Sequence, residues 1–252
     1  MCLDTSLVEG YHSPTQRTRV MTESWVRQNV YCPHCGCPTL QKYPNNQPVA
    51  DFYCTNCKAE YELKSKENQL ANKIMDGAYE TMIKRIQSFD NPHFFFLRYV
   101  NIVVKDLFVV PNFFFTPAII EKRNPLGPNA RRAGWVGCNI AIEGVPQYGK
   151  IFLIRDGQSI DKLQVVDHFK RTLALRTSDI TKRGWLFDVL RCIERIPSND
   201  FTLQQMYAFV NELSIKHPEN KFVADKIRQQ LQVLRDKGVI EFTTRGNYRK
   251  LC

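Results

Sequence analysis

The chain has 252 residues, 43% hydrophobic and 24% charged. That balance belongs to a folded globular protein rather than a disordered one, and the length admits one large domain or two smaller ones. A net charge of +10 points to a polyanionic partner.

The longest apolar region, 93–115, is interrupted by Arg98, Asn101, Lys105 and Asp106, which excludes a bilayer span. The first dozen residues carry acids and lack a basic segment followed by an apolar one, so they do not read as a secretory signal. The expectation is a cytoplasmic protein, monomeric in solution, with no membrane partner.

In chain order, 13–30 is expected to be helical around TESWVRQ. Five of the nine cysteines then fall between 32 and 57. CPHC (Cys32, Cys35) and CTNC (Cys54, Cys57) are two knuckles separated by 18 residues. Each knuckle turns two thiolates to one side, and two knuckles complete a tetrahedral set for a structural Zn²⁺. Cys37 and His34 stand beside the first knuckle as substitute ligands, with poorer spacing. Cys2, Cys138, Cys192 and Cys252 read as unpaired thiols.

Strands fit Val49–Tyr53 and Glu60–Lys64, joined across CTNC. Asp51 lies near the start of the first, and Glu62 and Lys64 leave the same face of the second. This is a D-(x)n-E-x-K pattern. Asp51 and Glu62, with the backbone carbonyl of Leu63, offer hard oxygen ligands for Mg²⁺. Such an ion would polarise a phosphodiester, and Lys64 would favour a deprotonated attacking water. The triplet is common by chance. It gains weight from the zinc-pinned hairpin, the basic charge and the C-terminal organisation. No Walker loop, GxGxxG or Ser/His/Asp arrangement competes.

Gln69–Phe89 has helical periodicity, with Ile74, Ala78, Met82 and Ile86 on one face. His93–Val100 and Asp106–Val110 are dense in Phe and Val and read as strands. Residues 123–138 form a basic loop with two Pro and three Gly. Gly149–Arg155 reads as a buried strand and Asp161–Leu175 as a helix.

The last 72 residues hold 13 Lys and Arg against 8 Asp and Glu. Three helices are expected there: Gly184–Ile196, a second through Leu213 capped by Thr202 with Asp200 and Asn199 as competing caps, and Glu219–Lys237 ending at Gly238. A hairpin of VIEF and NYRKL follows. This is the winged-helix arrangement. Its third helix and hairpin offer Lys226, Arg228, Gln229, Gln230, Gln232, Arg235, Arg245 and Arg249 to DNA.

CPHC, PVADFYC, ELKSK, DGAYETMIKR, NPHFFFL, ARRAGWVGCNI, RQQLQVLRDKGVIEF and YRKL together resemble the Dam-replacing family of methyl-directed restriction endonucleases, from about Thr22 to Leu251. The resemblance implies an α/β fold. A PD-(D/E)XK nuclease domain with an inserted four-cysteine zinc site (1–180) precedes a C-terminal winged-helix domain (181–252). It also implies Mg²⁺-dependent double-strand cleavage of DNA at GATC carrying N6-methylated adenine, read by both domains. On that resemblance the catalytic triad is Asp51, Glu62 and Lys64, and the zinc ligands are Cys32, Cys35, Cys54 and Cys57. In one departure, Val49 and Ala50 separate Pro48 from Asp51.

N6-methylation adds an apolar group in the major groove and removes a donor hydrogen. Trp135, flanked by Arg131 and Arg132 for phosphate contact, is the candidate reader in the basic loop; a core or interface anchor is the other reading of Trp135. The competing function is a zinc-ribbon and winged-helix DNA-binding regulator without catalysis. A third is a nuclease acting on branched DNA or RNA.

Overall fold

The apolar pattern of His93–Val110 sets the architecture. In the computed structural model, described over residues 1–44, 50–70, 72–88 and 91–251, these residues form the central strands of a large sheet. The first compact unit comprises Met1–Gly144 and Gly149–Leu173. Its elements are α1 (Pro14–Asn29), β1 (Gln41–Lys42), β2 (Phe52–Tyr53), β3 (Glu60–Glu67), β4 (Lys73–Ala78), α2 (Tyr79–Ser88), β5 (His93–Val100), β6 (Val103–Val110), β7 (Ile120–Lys122), β8 (Gly137–Ala141), β9 (Ile151–Arg155), β10 (Gln158–Ser159) and α3 (Lys162–Thr172).

Seven strands form one sheet in the order β1-β2-β3-β5-β6-β9-β10, with only the β3–β5 pair parallel. Side chains alternate along a strand, so an unbroken apolar run means burial on both faces. On one face Phe95, Leu97, Leu107 and Val109 pack with Trp25 and Val26 of α1 and Val165 and Phe169 of α3. On the other, Phe94 lies 4.7 Å from Phe115, and Phe96 stacks on Phe108 at 5.1 Å. The caps follow the expected chemistry: Asp161 accepts hydrogen bonds from the Leu163 and Gln164 N–H groups at the start of α3.

One expected helix is corrected. Within 69–89, residues 73–78 are strand β4, and only Tyr79–Ser88 is helical. β4 pairs antiparallel with β8, which pairs in turn with β7. Ile74, Met82 and Ile86 are buried as the periodicity implied. The four-residue spacing hides the change because Ile74 is also inward in a period-two strand. Pairing with a partner more than sixty residues away overrode the local pattern. The expected strand Val49–Tyr53 is seen at Phe52–Tyr53; Val49, Pro48 and Phe89 lie outside the described residues.

The second unit comprises Val145–Tyr148 and the chain from Ala174 onward. It contains α4 (Ile180–Arg195), β11 (Asp200–Thr202), α5 (Leu203–Tyr207), α6 (Val210–Lys216), α7 (Val223–Asp236), β12 (Ile240–Thr244) and β13 (Asn247–Lys250). Its short upstream segment is tied in where Glu194 accepts the Gln147 and Tyr148 N–H groups at 2.9 and 2.8 Å. The expected second helix is broken at Ala208–Phe209 into α5 and α6. Thr202 caps it in a reciprocal box with Gln205.

Ile227, Leu231 and Leu234 of α7 are buried at helical spacing. The sheet order β11-β13-β12 adds a strand that the sequence reading lacked. Helix, strand, two short helices, a longer helix and a hairpin follow in the order of a winged helix. Among the described residues no helix is long and apolar enough to cross a membrane.

Candidate active site and metal centre

The cysteine quartet is assembled by two copies of one turn. Cys32 N–H donates to Cys37 O and Gly36 N–H to Cys32 O, both at 2.8 Å. Cys54 N–H donates to Ala59 O (2.9 Å) and Lys58 N–H to Cys54 O (3.0 Å). The residue after each pair is left-handed, Gly36 at φ +77 and Lys58 at φ +60. Gly36 adopts that conformation without strain.

The four Sγ atoms all lie within 4.8 Å of one another, with Cys32–Cys57 and Cys35–Cys54 at 3.6 Å. Tetrahedral Zn–S bonds of about 2.3 Å put sulfurs about 3.8 Å apart, so the quartet fits zinc. Burial pushes the Cys32 thiol up, and the Cys57 thiol up to about 11. A bound cation would displace those protons. The alternative ligands fall away. His34 packs its ring 5.1 Å from Phe169, and Cys37 stands outside the quartet.

The second knuckle is the connection between β2 and β3, so the same cluster fixes the candidate catalytic strands. Asp51 N–H donates to Tyr61 O at 2.9 Å, and Leu63 N–H donates to Asp51 Oδ2 at 2.7 Å. In an extended strand the N–H and C=O of one residue leave the same edge. The Leu63 carbonyl therefore faces the Asp51 side. Glu62 and Lys64 share a face of β3, with Lys64 Nζ 2.6 Å from Glu62 Oε1. Asp51, Glu62, Leu63 and Lys64 line one cleft of about 610 Å³.

Two acids beside these residues were missed by sequence reasoning. Asp76 of β4 lies 2.6 Å from Lys64 Nζ through its Oδ1. Glu23 of α1 is buried and holds Arg19 at 2.6 Å and Lys42 at 2.7 Å. Asp76 was hidden in the segment read as helix. Glu23 lies in α1, where no local spacing marks a buried acid.

Burial raises the Asp51 carboxyl above its ordinary range, with the Leu63 N–H opposing and Glu23 adding to it. Burial does the same to Glu62, partly offset by Lys64. Desolvated carboxylates of this kind gain from a cation. Burial pushes the Lys64 ammonium down, but Glu62 and Asp76 outweigh it and the net shift is upward. Lys64 is thus the shared ion-pair partner of Glu62 and Asp76.

The basic loop is ordered by its own backbone. Leu126 N–H donates to Trp135 O, and Gly134 N–H to Leu126 O, both at 2.9 Å. Arg131 and Arg132 are exposed and Trp135 half-buried. The Arg132 guanidinium sits 4.8 Å over the Trp135 ring. A Cβ on Gly137 would meet that ring at 2.8 Å, so glycine there lets the indole lie against β8.

In the second unit Arg228, Gln229, Gln232 and Arg235 lie on α7, and Arg245 and Arg249 on the hairpin; all six are exposed. Lys226 donates to Gln229 at 2.8 Å. Gln230 is corrected: it is 4% exposed and faces the helical core, one turn from the buried Ile227 and Leu234. Arg249 pairs with Asp200 (2.7 Å) and Arg235 with Asp236 (2.7 Å).

Comparison with known families finds matches over nearly the whole chain. The DpnI model, described as the Dam-replacing family, matches residues 1–178, and the Dam-replacing HTH domain matches 181–250. The chain belongs to the Dam-replacing family. Membership implies a methylation-dependent restriction endonuclease that binds DNA, with a helix-turn-helix domain at its C-terminal end. In this member of the Dam-replacing family, that domain coincides with the helices and hairpin of the second unit.

Proposed function

We propose that this chain is a Mg²⁺-dependent PD-(D/E)XK endonuclease that makes double-strand cuts at GATC carrying N6-methyladenine. In this reading residues 1–180 are the nuclease domain and 181–252 the winged helix. Both contact the methylated site, and the chain acts as a monomer in solution. What carries the proposal is the meeting of Asp51, Glu62 and Lys64 in one cleft, on strands joined by the cysteine knuckle.

Asp51, Glu62 and the Leu63 carbonyl are the oxygen donors that would hold the ion. Bound there, Mg²⁺ supplies charge stabilisation for the developing phosphorane and acidifies an attacking water. Lys64, paired with Glu62 and Asp76, would keep that water and the phosphate oxygens oriented. The displacement would form a bond from the water oxygen to phosphorus and break one P–O ester bond; the water's proton would pass to solvent and the leaving oxygen would take one from solvent.

Arg131 and Arg132 would contact phosphate, and Trp135 would offer its face to the N6-methyl group. The outward-facing residues of α7 and the hairpin, Lys226 included, would engage the grooves.

The test uses two plasmid preparations, with and without N6-methyladenine in GATC, incubated with Mg²⁺. The expected outcome is double-strand cutting of the methylated plasmid only, at GATC. Cutting of both would remove methyl dependence; cutting of neither, with binding retained, would favour the regulator. Trp135→Ala is expected to reduce the ratio of methylated to unmethylated cleavage by about 10-fold, the scale of one lost base contact. An unchanged ratio, measured with matched duplexes, would leave Trp135 a purely structural residue.

A further inference from the structure

We propose that Asp76 is a positioning residue for cleavage, holding the Lys64 ammonium in the cleft once a metal ion has claimed Glu62. This role rests on the assignment of Asp51, Glu62 and Lys64 given above.

Lys64 Nζ stands between two carboxylates, 2.6 Å from Glu62 Oε1 and 2.6 Å from Asp76 Oδ1. Both are largely shielded, with side chains 20% and 9% exposed. Their supports differ. Glu62 is on β3 of the large sheet, two residues from Lys64, whereas Asp76 is on β4 of the separate sheet β4-β8-β7. The pairing of β4 with β8 shifts register between Asp76 and Ala78. Such a bulge re-aims a side chain, and bulges concentrate beside active sites. Asp76 Oδ1 also accepts the Gly77 N–H at 2.7 Å, which fixes its rotamer. Met75, its neighbour, is 59% exposed and lines the cleft with Lys64.

The two carboxylates have unequal futures on metal binding. Glu62, as a ligand, would share its charge with the ion, and its hold on Lys64 would weaken. A lysine is a flexible point charge that a nearby dication repels. Asp76 supplies a full negative charge from a second sheet, outside the proposed ligand set, and so opposes that repulsion. Cys138, its partner across the β4–β8 pair, is buried and brings no positive charge that competes with Lys64 for Asp76.

The test compares Asp76→Asn and Asp76→Glu in the full chain, with a methylated GATC duplex as substrate and Mg²⁺ varied. Asp76→Asn is expected to lower kcat by about 10- to 100-fold, the usual consequence of losing an orienting partner. KM for DNA and the Mg²⁺ concentration for half-maximal rate should stay at wild-type values, and the melting temperature should fall by less than in Lys64→Ala, because Lys64 keeps Glu62 as a partner. Asp76→Glu restores the charge and should recover part of the rate; it also carries the test if Asp76→Asn folds poorly.

A wild-type kcat in Asp76→Asn overturns the role. So does a loss cured by raising Mg²⁺, which would make Asp76 a ligand, or a loss that Asp76→Glu does not relieve. Lys64→Ala serves as the control for the site itself. If Lys64→Ala cuts at the wild-type rate, the active-site assignment has failed. If it is inactive while Asp76→Asn is normal, only the role of Asp76 has failed.

Discussion

Replacing Lys64 with Ala is expected to cut the rate of DNA cleavage by about 10²–10³-fold while leaving DNA binding intact. The magnitude is that of removing one preorganised charge from a water-poor site. Lys64 is the shared counterion of Glu62 and Asp76, so the substitution has a second consequence. Two shielded carboxylates lose their partner, and removing one member of a buried pair typically costs about 3–5 kcal/mol. The side chains here are 9% to 20% exposed, which places the expected loss at the lower end of that range.

Added Mg²⁺ should return part of this stability by neutralising Glu62. Rate, binding and melting therefore have to be measured on the same preparation. Lys64→Met, which keeps the stem and removes the charge, separates packing from electrostatics. Cleavage at the wild-type rate by either folded variant would rule out Lys64 as a catalytic group.

Removing zinc is expected to have the largest effect on the fold. The quartet joins the chain just after α1 to the turn between β2 and β3, bringing four sulfurs within 4.8 Å of one another. Structural zinc contributes an apparent stabilisation of about 10–16 kcal/mol at pH 7, against about 5–15 kcal/mol for a whole domain. Its loss is therefore comparable to the whole net stability of the first unit.

A strong chelator should abolish the cooperative thermal transition of that unit and, with it, cleavage. Because thiol protons compete with the metal, the ion should also leave as pH falls. The check is a thermal scan followed by far-UV circular dichroism, with the expected zinc release being about one ion per chain, as a single four-thiolate site requires. A metal-free protein that melts cooperatively and still cuts DNA would show that the quartet is dispensable. Cys54→Ser should behave like the chelated protein.

The features legible in the sequence were those written in short spacings. CPHC and CTNC define their own turns, so the cysteine quartet needed no knowledge of the fold. Glu62 and Lys64 share a face because strands alternate, and Asp51 follows from the hairpin that the second knuckle closes. His93–Val100 could be read as a strand because a short apolar, aromatic run has few other destinations. The winged helix was legible for the same reason: Thr202, Gly238 and the Arg245–Gly246 turn punctuate its elements locally.

What tertiary structure decided was which distant residues meet. Asp76 reaches Lys64 because β4 pairs with β8 and bulges there, and neither event is encoded within 69–89. Glu23 reaches the cleft because α1 packs across β3. Gln230 carries the right chemistry for a base edge, yet the orientation of α7 turns it into the core. Local spacing fixes side-chain direction relative to one element; the neighbours that side chain finds are set by packing between elements, which sums contributions from the whole chain.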